Sequence, residues 1–253
     1  MEAWLPPGVD PAFAALVVAA SAFTSALTGA FGLGGGVALL ALMALGLPVA
    51  ALIPVHGVAQ LGSNLGRAVV QRRHIERRTV AAFAVGSALG ALVGGLVVVS
   101  LPEPLLKVGL AAFILWATYG RKPALGVRGS DVLMVAGGAA SSFASMFFGA
   151  TGPLAMAVLA TRGLVKHALV ATHAAAMVIQ HGFKIGAFGA LGFAFGPWLP
   201  LLAAIVAAGL LGTLLGSRLL DRMSDRWFTL GFRVVMTALA LQLLWQGIAA
   251  LAA

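Results

Sequence analysis

Gly29-Ala-Phe-Gly-Leu-Gly-Gly-Gly36 interrupts an otherwise apolar chain, and Phe148-Gly-Ala-Thr-Gly-Pro153 interrupts it again about 117 residues further on. Around these two breaks the chain repeats itself. Gly32, Gly35, Gly46, Leu47 and His56 recur as Gly149, Gly152, Gly163, Leu164 and His173, and Arg67 recurs as Lys184. With a five-residue shift, Gly90, Gly94 and Gly109 recur as Gly212, Gly216 and Gly231. Gly and Leu coincide easily in such a composition; His, Lys and Arg are rare, so the His56/His173 and Arg67/Lys184 matches carry the repeat. A hydrophobic chain built as two copies of one unit is the signature of a membrane transporter with internal repeats.

Composition points the same way. Hydrophobic residues make up 61% of 253 positions and charged residues 9%, against about 25% charged in a soluble domain. Such a chain cannot cover a water-facing surface, so the bilayer is its solvent. The absence of cysteine excludes disulfides and thiolate metal sites. A net charge of +9 suggests nucleic acid at first sight, but the charges sit in short loops between apolar segments, and no nucleic-acid partner is expected. The first ten residues hold Glu2 and Asp10 and no Lys or Arg. The first apolar stretch is therefore expected to be a membrane segment rather than a signal peptide.

The apolar segments are 12–28, 36–47, 51–70, 80–100, 105–119, 131–147, 153–161, 168–188, 197–217 and 227–250, five in each half. A full span needs about 20 residues. Segments 36–47 and 153–161 are too short and each follows a Gly-rich break. Each reads as a half-helix that dips into the membrane and turns back with its predecessor, although a tilted span is also open. Irregular backbone at that depth is tolerated where it is buried in protein or lines a cavity. With the N-terminus outside, the inside loops hold Arg72, Arg73, Arg77, Arg78, Arg121, Lys122, Arg128, Arg162, Lys166, Arg218, Arg222 and Arg226, which is 12 of the 16 basic residues, as the positive-inside rule requires. Five crossings is an odd number, so the second copy is upside down and both termini lie outside. The predicted fold is an all-α polytopic membrane protein, one domain over 1–253, with inverted repeats at about 12–120 and 131–251. The sequence leaves homo-oligomerisation open.

Polar groups in hydrocarbon are costly and are functional candidates by default. His56, Gln60, Ser63 and Arg67 line one face of the third segment, flanked by Asn64, and His173, Gln180, His181 and Lys184 line one face of the eighth. All seven acidic residues, Glu2, Asp10, Glu76, Glu103, Asp131, Asp221 and Asp225, fall in loops or at segment ends. The intramembrane donors are thus cations, imidazoles, amides and the N-termini of two half-helices, which attract anions. Plainer readings stand beside this one. Gly90-x-x-x-Gly94 and Gly212-x-x-x-Gly216 read as helix-packing faces. Lys107 and Arg233 read as snorkelling cations, and Arg67 and Lys184 are open to the same reading. His74 and His167, in basic loops, read as solvated.

With these residues in view, the chain resembles the TauE/SafE family of sulfite exporters and sulfur-compound permeases. The resemblance is carried by Gly29–Gly36, by Leu45-Gly-Leu-Pro48 with the polar helix after it, and by the weaker second copy Phe148–Pro153 with His173. It spans essentially the whole chain. It implies a prokaryotic inner-membrane protein that moves sulfite, sulfonates or similar anions without a prosthetic group. Pro153 stands where the first copy has Gly36, so the two breaks are not equivalent.

The expected function is secondary transport of a small sulfur-containing anion by alternating access. The substrate-binding candidates are Gly34, Gly35, Gly36, Thr151 and Gly152 at the breaks, Gln60, Asn64 and Gln180 as orienting amides, and Arg67 and Lys184 as charge. His56, His173 and His181 are candidate proton carriers. No cofactor and no metal are expected, and no phosphate-binding loop of the G-x-x-x-x-G-K-[ST] type is present. The rivals are an anion channel, a structural membrane subunit, a transporter of another small carboxylate or oxyanion, and an intramembrane enzyme. The enzyme lacks a carboxylate or Cys beside its histidines.

Overall fold

The computed structural model describes residues 5–6, 8–31, 34–98, 102–120, 129–220 and 225–252. Gly32 of the first break and the loop residues Arg121, Lys122, Arg128, Asp221 and Arg222 lie outside the described residues. Ala-, Leu- and Val-rich stretches satisfy every backbone group within a helix, and the described residues form ten α-helices and no strand. These are α1 (Pro11–Phe31), α2 (Gly35–Met43), α3 (Val49–Val70), α4 (Arg77–Val98), α5 (Glu103–Tyr119), α6 (Asp131–Phe148), α7 (Gly152–Ala160), α8 (Lys166–Ala190), α9 (Leu199–Leu220) and α10 (Asp225–Ala252). Each expected segment corresponds to one helix. The loop chemistry sets their ends. Asp10 Oδ1 accepts from Phe13 N at 2.8 Å ahead of α1, and Ser130 Oγ caps α6 by accepting from Leu133 N at 3.1 Å.

Four stretches, Pro11–Gly29, Arg77–Val98, Asp131–Phe148 and Gly196–Leu215, are long and apolar enough to cross a membrane. They belong to α1, α4, α6 and the start of α9. Helices α3 and α8 are longer than needed but carry the polar stripes, which lowers their hydropathy. They are also the centre of the bundle, packed against each other. Around them α1 packs on α9, α4 on α6 and α5 on α10, while α9 also touches α3 and α4 also touches α8. Leu92, Leu96, Leu215 and Trp245 are each more than 60% exposed. A large apolar belt of this kind is what a lipid-facing wall requires.

Glycines let the paired helices approach. A Cβ on Gly86 would lie 1.8 Å from Val135 O, one on Gly90 would lie 2.1 Å from Ala139 O, and one on Gly212 would lie 1.9 Å from Ala22 O. The packing reading of Gly90 and Gly212 therefore holds.

Helices α2 and α7 have nine residues each, which is roughly 14 Å of rise, half a membrane. The C-terminal end of α2 returns to the start of α1, because a Cβ on Gly46 would meet the Phe13 ring at 2.8 Å. The end of α7 returns to the start of α6 through Gly129 N–H donating to Thr161 O at 2.8 Å. The two half-helices thus start inside the bundle and leave it at opposite ends. One end carries Arg72, Arg78, Asp131 and Arg162. The other carries the turns at 44–48 and 191–198.

Candidate functional site

The backbone unwinds where the half-helices begin. Gly34, at φ 103°, precedes α2, and Gly149, at φ 71°, ends α6 ahead of α7; only glycine adopts such angles without strain. Gly35 packs so tightly on α1 that a Cβ there would sit 1.9 Å from Thr24 O. The first turn of each half-helix is pinned by a histidine from a central helix. His56 Nε2–H donates to Gly36 O at 2.9 Å and His173 Nε2–H donates to Gly152 O at 3.1 Å. The two histidines thus do the same job on the two copies.

The cations reach the same breaks. Lys184 Nζ donates to Gly149 O at 2.6 Å. Arg67 Nη1 donates to Thr28 O at 3.4 Å, and Nη2 to Asn64 Oδ1 at 2.5 Å. Asn64 Nδ2 in turn donates to Gln60 O at 2.7 Å. On the other copy, Ser141 Oγ donates to Gln180 Oε1 at 2.8 Å, Gln180 Nε2 donates to Thr151 Oγ1 at 3.0 Å, and Thr151 Oγ1 donates to Ser141 O at 2.9 Å. That closed ring holds Thr151 at the head of α7.

Arg67 and Lys184 are buried, at 3% and 0% exposure, and no Asp or Glu is buried among the described residues. The snorkelling reading of these two cations is therefore corrected: their heads stay inside the protein. Their acceptors are neutral, and Arg67 Nε, His56 Nδ1, His173 Nδ1 and His181 Nδ1 are buried with no partner. Two cations in a low-dielectric core without a carboxylate are costly, and an anion would offset that cost.

A small cavity of about 30 Å³ lies between the two breaks. Of the expected residues, Gly34, Gly36, Gln60, Asn64, Arg67, Gly152, His173 and His181 line it. Gly35, His56, Thr151, Gln180 and Lys184 do not; they shape its walls through the contacts above. Ser63 is buried on the same stripe but does not line it. The cavity draws on both halves of the chain, as a site between two repeats should.

The family model for the sulfite exporter TauE/SafE matches residues 17–243. The chain belongs to the TauE/SafE family. This family transports sulfite and related sulfur compounds, and its members are transporters rather than enzymes. Neither the curated proteins nor the solved structures contain a match to the chain. Among the described residues no cluster of three or more metal-ligating side chains exists.

Sequence reasoning missed part of this TauE/SafE site. Thr28 lines the cavity and Ser141 anchors Gln180. A signal existed: Thr24, Ser25 and Thr28 of α1 recur at the same 117-residue offset as Ser141, Ser142 and Ser145 of α6. All six are buried. Hydroxyls are common in membrane helices, where they bond back to their own backbone, as Thr28 does to Thr24 O at 2.9 Å, so they drew no attention. His74 and His167 are exposed, as expected, with ring centroids 6.0 Å apart.

Proposed function

We propose that this TauE/SafE protein is a secondary transporter of a small sulfur-containing oxyanion, sulfite or a sulfonate, bound between the N-termini of α2 and α7. The observation that carries the reading is the pair of buried cations, Arg67 and Lys184, with no buried carboxylate among the described residues. The anion would receive backbone N–H groups from Gly34–Gly36 and Thr151–Gly152, the guanidinium of Arg67 and the amide of Gln60. Lys184 would contribute its charge from behind Gly149.

The mechanism is alternating access by two inverted repeats. Its support is the exchange of packing partners: α1 on α9 mirrors α6 on α4, and α3 on α9 mirrors α8 on α4. The opposite exits of α2 and α7 support it as well. A central cavity too small for more than a water or two favours a carrier over a wide channel. At one end an apolar chamber of about 400 Å³ lies above the site, lined by Ile53, Pro54, Phe147 and Phe188 among others. At the other, Asp131 bridges Arg78 at 2.7 Å and also pairs with Arg162. With the Arg-rich end in the cytoplasm of a cell with a negative interior, about 100 mV drives efflux of a monoanion with roughly 2.3 kcal/mol.

The test is flux into proteoliposomes. Labelled sulfite or methanesulfonate should move above the empty-vesicle rate and respond to an imposed potential. Movement of a cation with neither anion transported would end this reading.

A further inference from the structure

His56 and His173 occupy equivalent places and are consumed by equivalent jobs, pinning α2 and α7. His181 has no such explanation. At the 117-residue offset its counterpart is Asn64, an amide tied to Gln60 and Arg67. His181 instead lines the cavity and is buried to 3% exposure, and its Nδ1 has no partner. Its ring meets that of His56 edge-on, centroids 6.3 Å apart. The two halves therefore differ at this position in one chemical respect. One places a non-titrating amide beside the cavity; the other places a titratable imidazole.

We propose that His181 is the proton carrier of this transporter, taking up one proton from water when the anion binds and releasing it when the anion leaves. The proposal rests on the anion reading above. The charged and titratable groups that act on His181 are Lys184 and His173 on its own helix and His56 and Arg67 on α3. From α4, α6 and α7 none does among the described residues. In the empty site burial opposes a charge on the ring, and Lys184 and Arg67 add to that opposition. An anion beside it offsets these cations and pairs with the imidazolium. Proton and anion therefore enter together, which is the condition for coupling.

The proton count is read by titration calorimetry of the purified protein in two buffers of different ionisation enthalpy. The probes are methanesulfonate, which does not titrate near neutral pH, and sulfite with its own protonation subtracted. The wild type should take up about one proton per anion above pH 6.5, approaching zero in H181N and staying near one in H74N, a change at an exposed histidine outside the site. Anion binding by the wild type with no linked proton, or an unchanged count in a folded H181N, overturns the assignment and leaves the anion reading standing. Absence of binding by either probe overturns both.

Discussion

Lys184 spends its ammonium on a neutral carbonyl in a place no water-facing lysine would choose. On insertion scales a central Lys costs about 2.5–3.5 kcal/mol, so evolution of such a residue points to a ligand rather than to packing. Lys184→Met keeps the stem and removes the charge. It should hold or raise the melting temperature, because it removes a buried unpaired cation, while sulfite uptake falls by about tenfold or more, equivalent to roughly 1.4 kcal/mol. Unfolding assays and vesicle uptake on the same preparation check this; a destabilised protein with normal uptake would make Lys184 structural. Neighbouring glycines separate fold from function in the same way. Gly35→Ala puts a Cβ 1.9 Å from Thr24 O, on backbone that cannot yield, and should abolish folded protein. Gly36→Ala meets Gln60 Oε1 at 2.8 Å, a side chain that can swing, and should fold but transport poorly. Fluorescence size-exclusion of the two variants, followed by uptake for Gly36→Ala, measures the contrast. The polar stripes were legible residue by residue, because His, Arg and Lys stand out in an apolar chain. The hydroxyls Thr28 and Ser141 were not, because their roles depend on which neighbour the fold supplies.

Helix ends show how little charge this molecule needs. Glu76 precedes α4 and accepts from Thr79 N at 2.6 Å and Arg78 N at 3.2 Å, satisfying donors that open every helix. Its own N–H donates to Thr172 Oγ1 at 2.9 Å, tying the start of α4 to α8. Hydrogen bonding from Thr79, with help from Arg78 and the charge of Arg162, holds the Glu76 carboxyl below its ordinary 4.5. A depressed value means stability that is present above about 4.5 and lost as pH falls through the lower folded value. Glu76→Gln should therefore be less stable than wild type at pH 7, with the gap closing below pH 4.5; thermal melts across pH 3–7 follow it. The half-helices were readable at this scale, since nine residues after a glycine break cannot span a bilayer. Their opposite exits were inferred only through loop charge. What periodicity did not show was the division of labour among the full-length helices. Packing puts the two helices that carry the polar stripes, α3 and α8, against each other at the centre.

At the scale of the whole molecule the account is a balance between two gates. The Arg78–Asp131–Arg162 cluster joins the starts of α4 and α6 to the turn after α7 at the Arg-rich end. Asp131→Asn removes its shared carboxylate and should shift the population towards the state open at that end. The chain has no cysteine, so one introduced at Val37, beside the central cavity, reports access directly. Labelling from the Arg-rich side should speed up in the Asp131→Asn background, and unchanged rates on both sides would show that the cluster is no gate. The repeat was visible in the sequence as rare residues recurring at one offset, and its inversion was expected from five segments per half and the charge of the loops. A site between the two breaks was expected from the repeat; which of the candidate residues line it was not, because that depends on how α3 and α8 cross. The most direct measurement of the central claim is a crystal structure with selenite, a heavier relative of sulfite whose selenium scatters anomalously. The account predicts a selenium peak between Gly34–Gly36 and Gly152, within hydrogen-bond reach of Arg67. A peak confined to the protein surface, with the space between the two half-helices occupied by a cation instead, would contradict it.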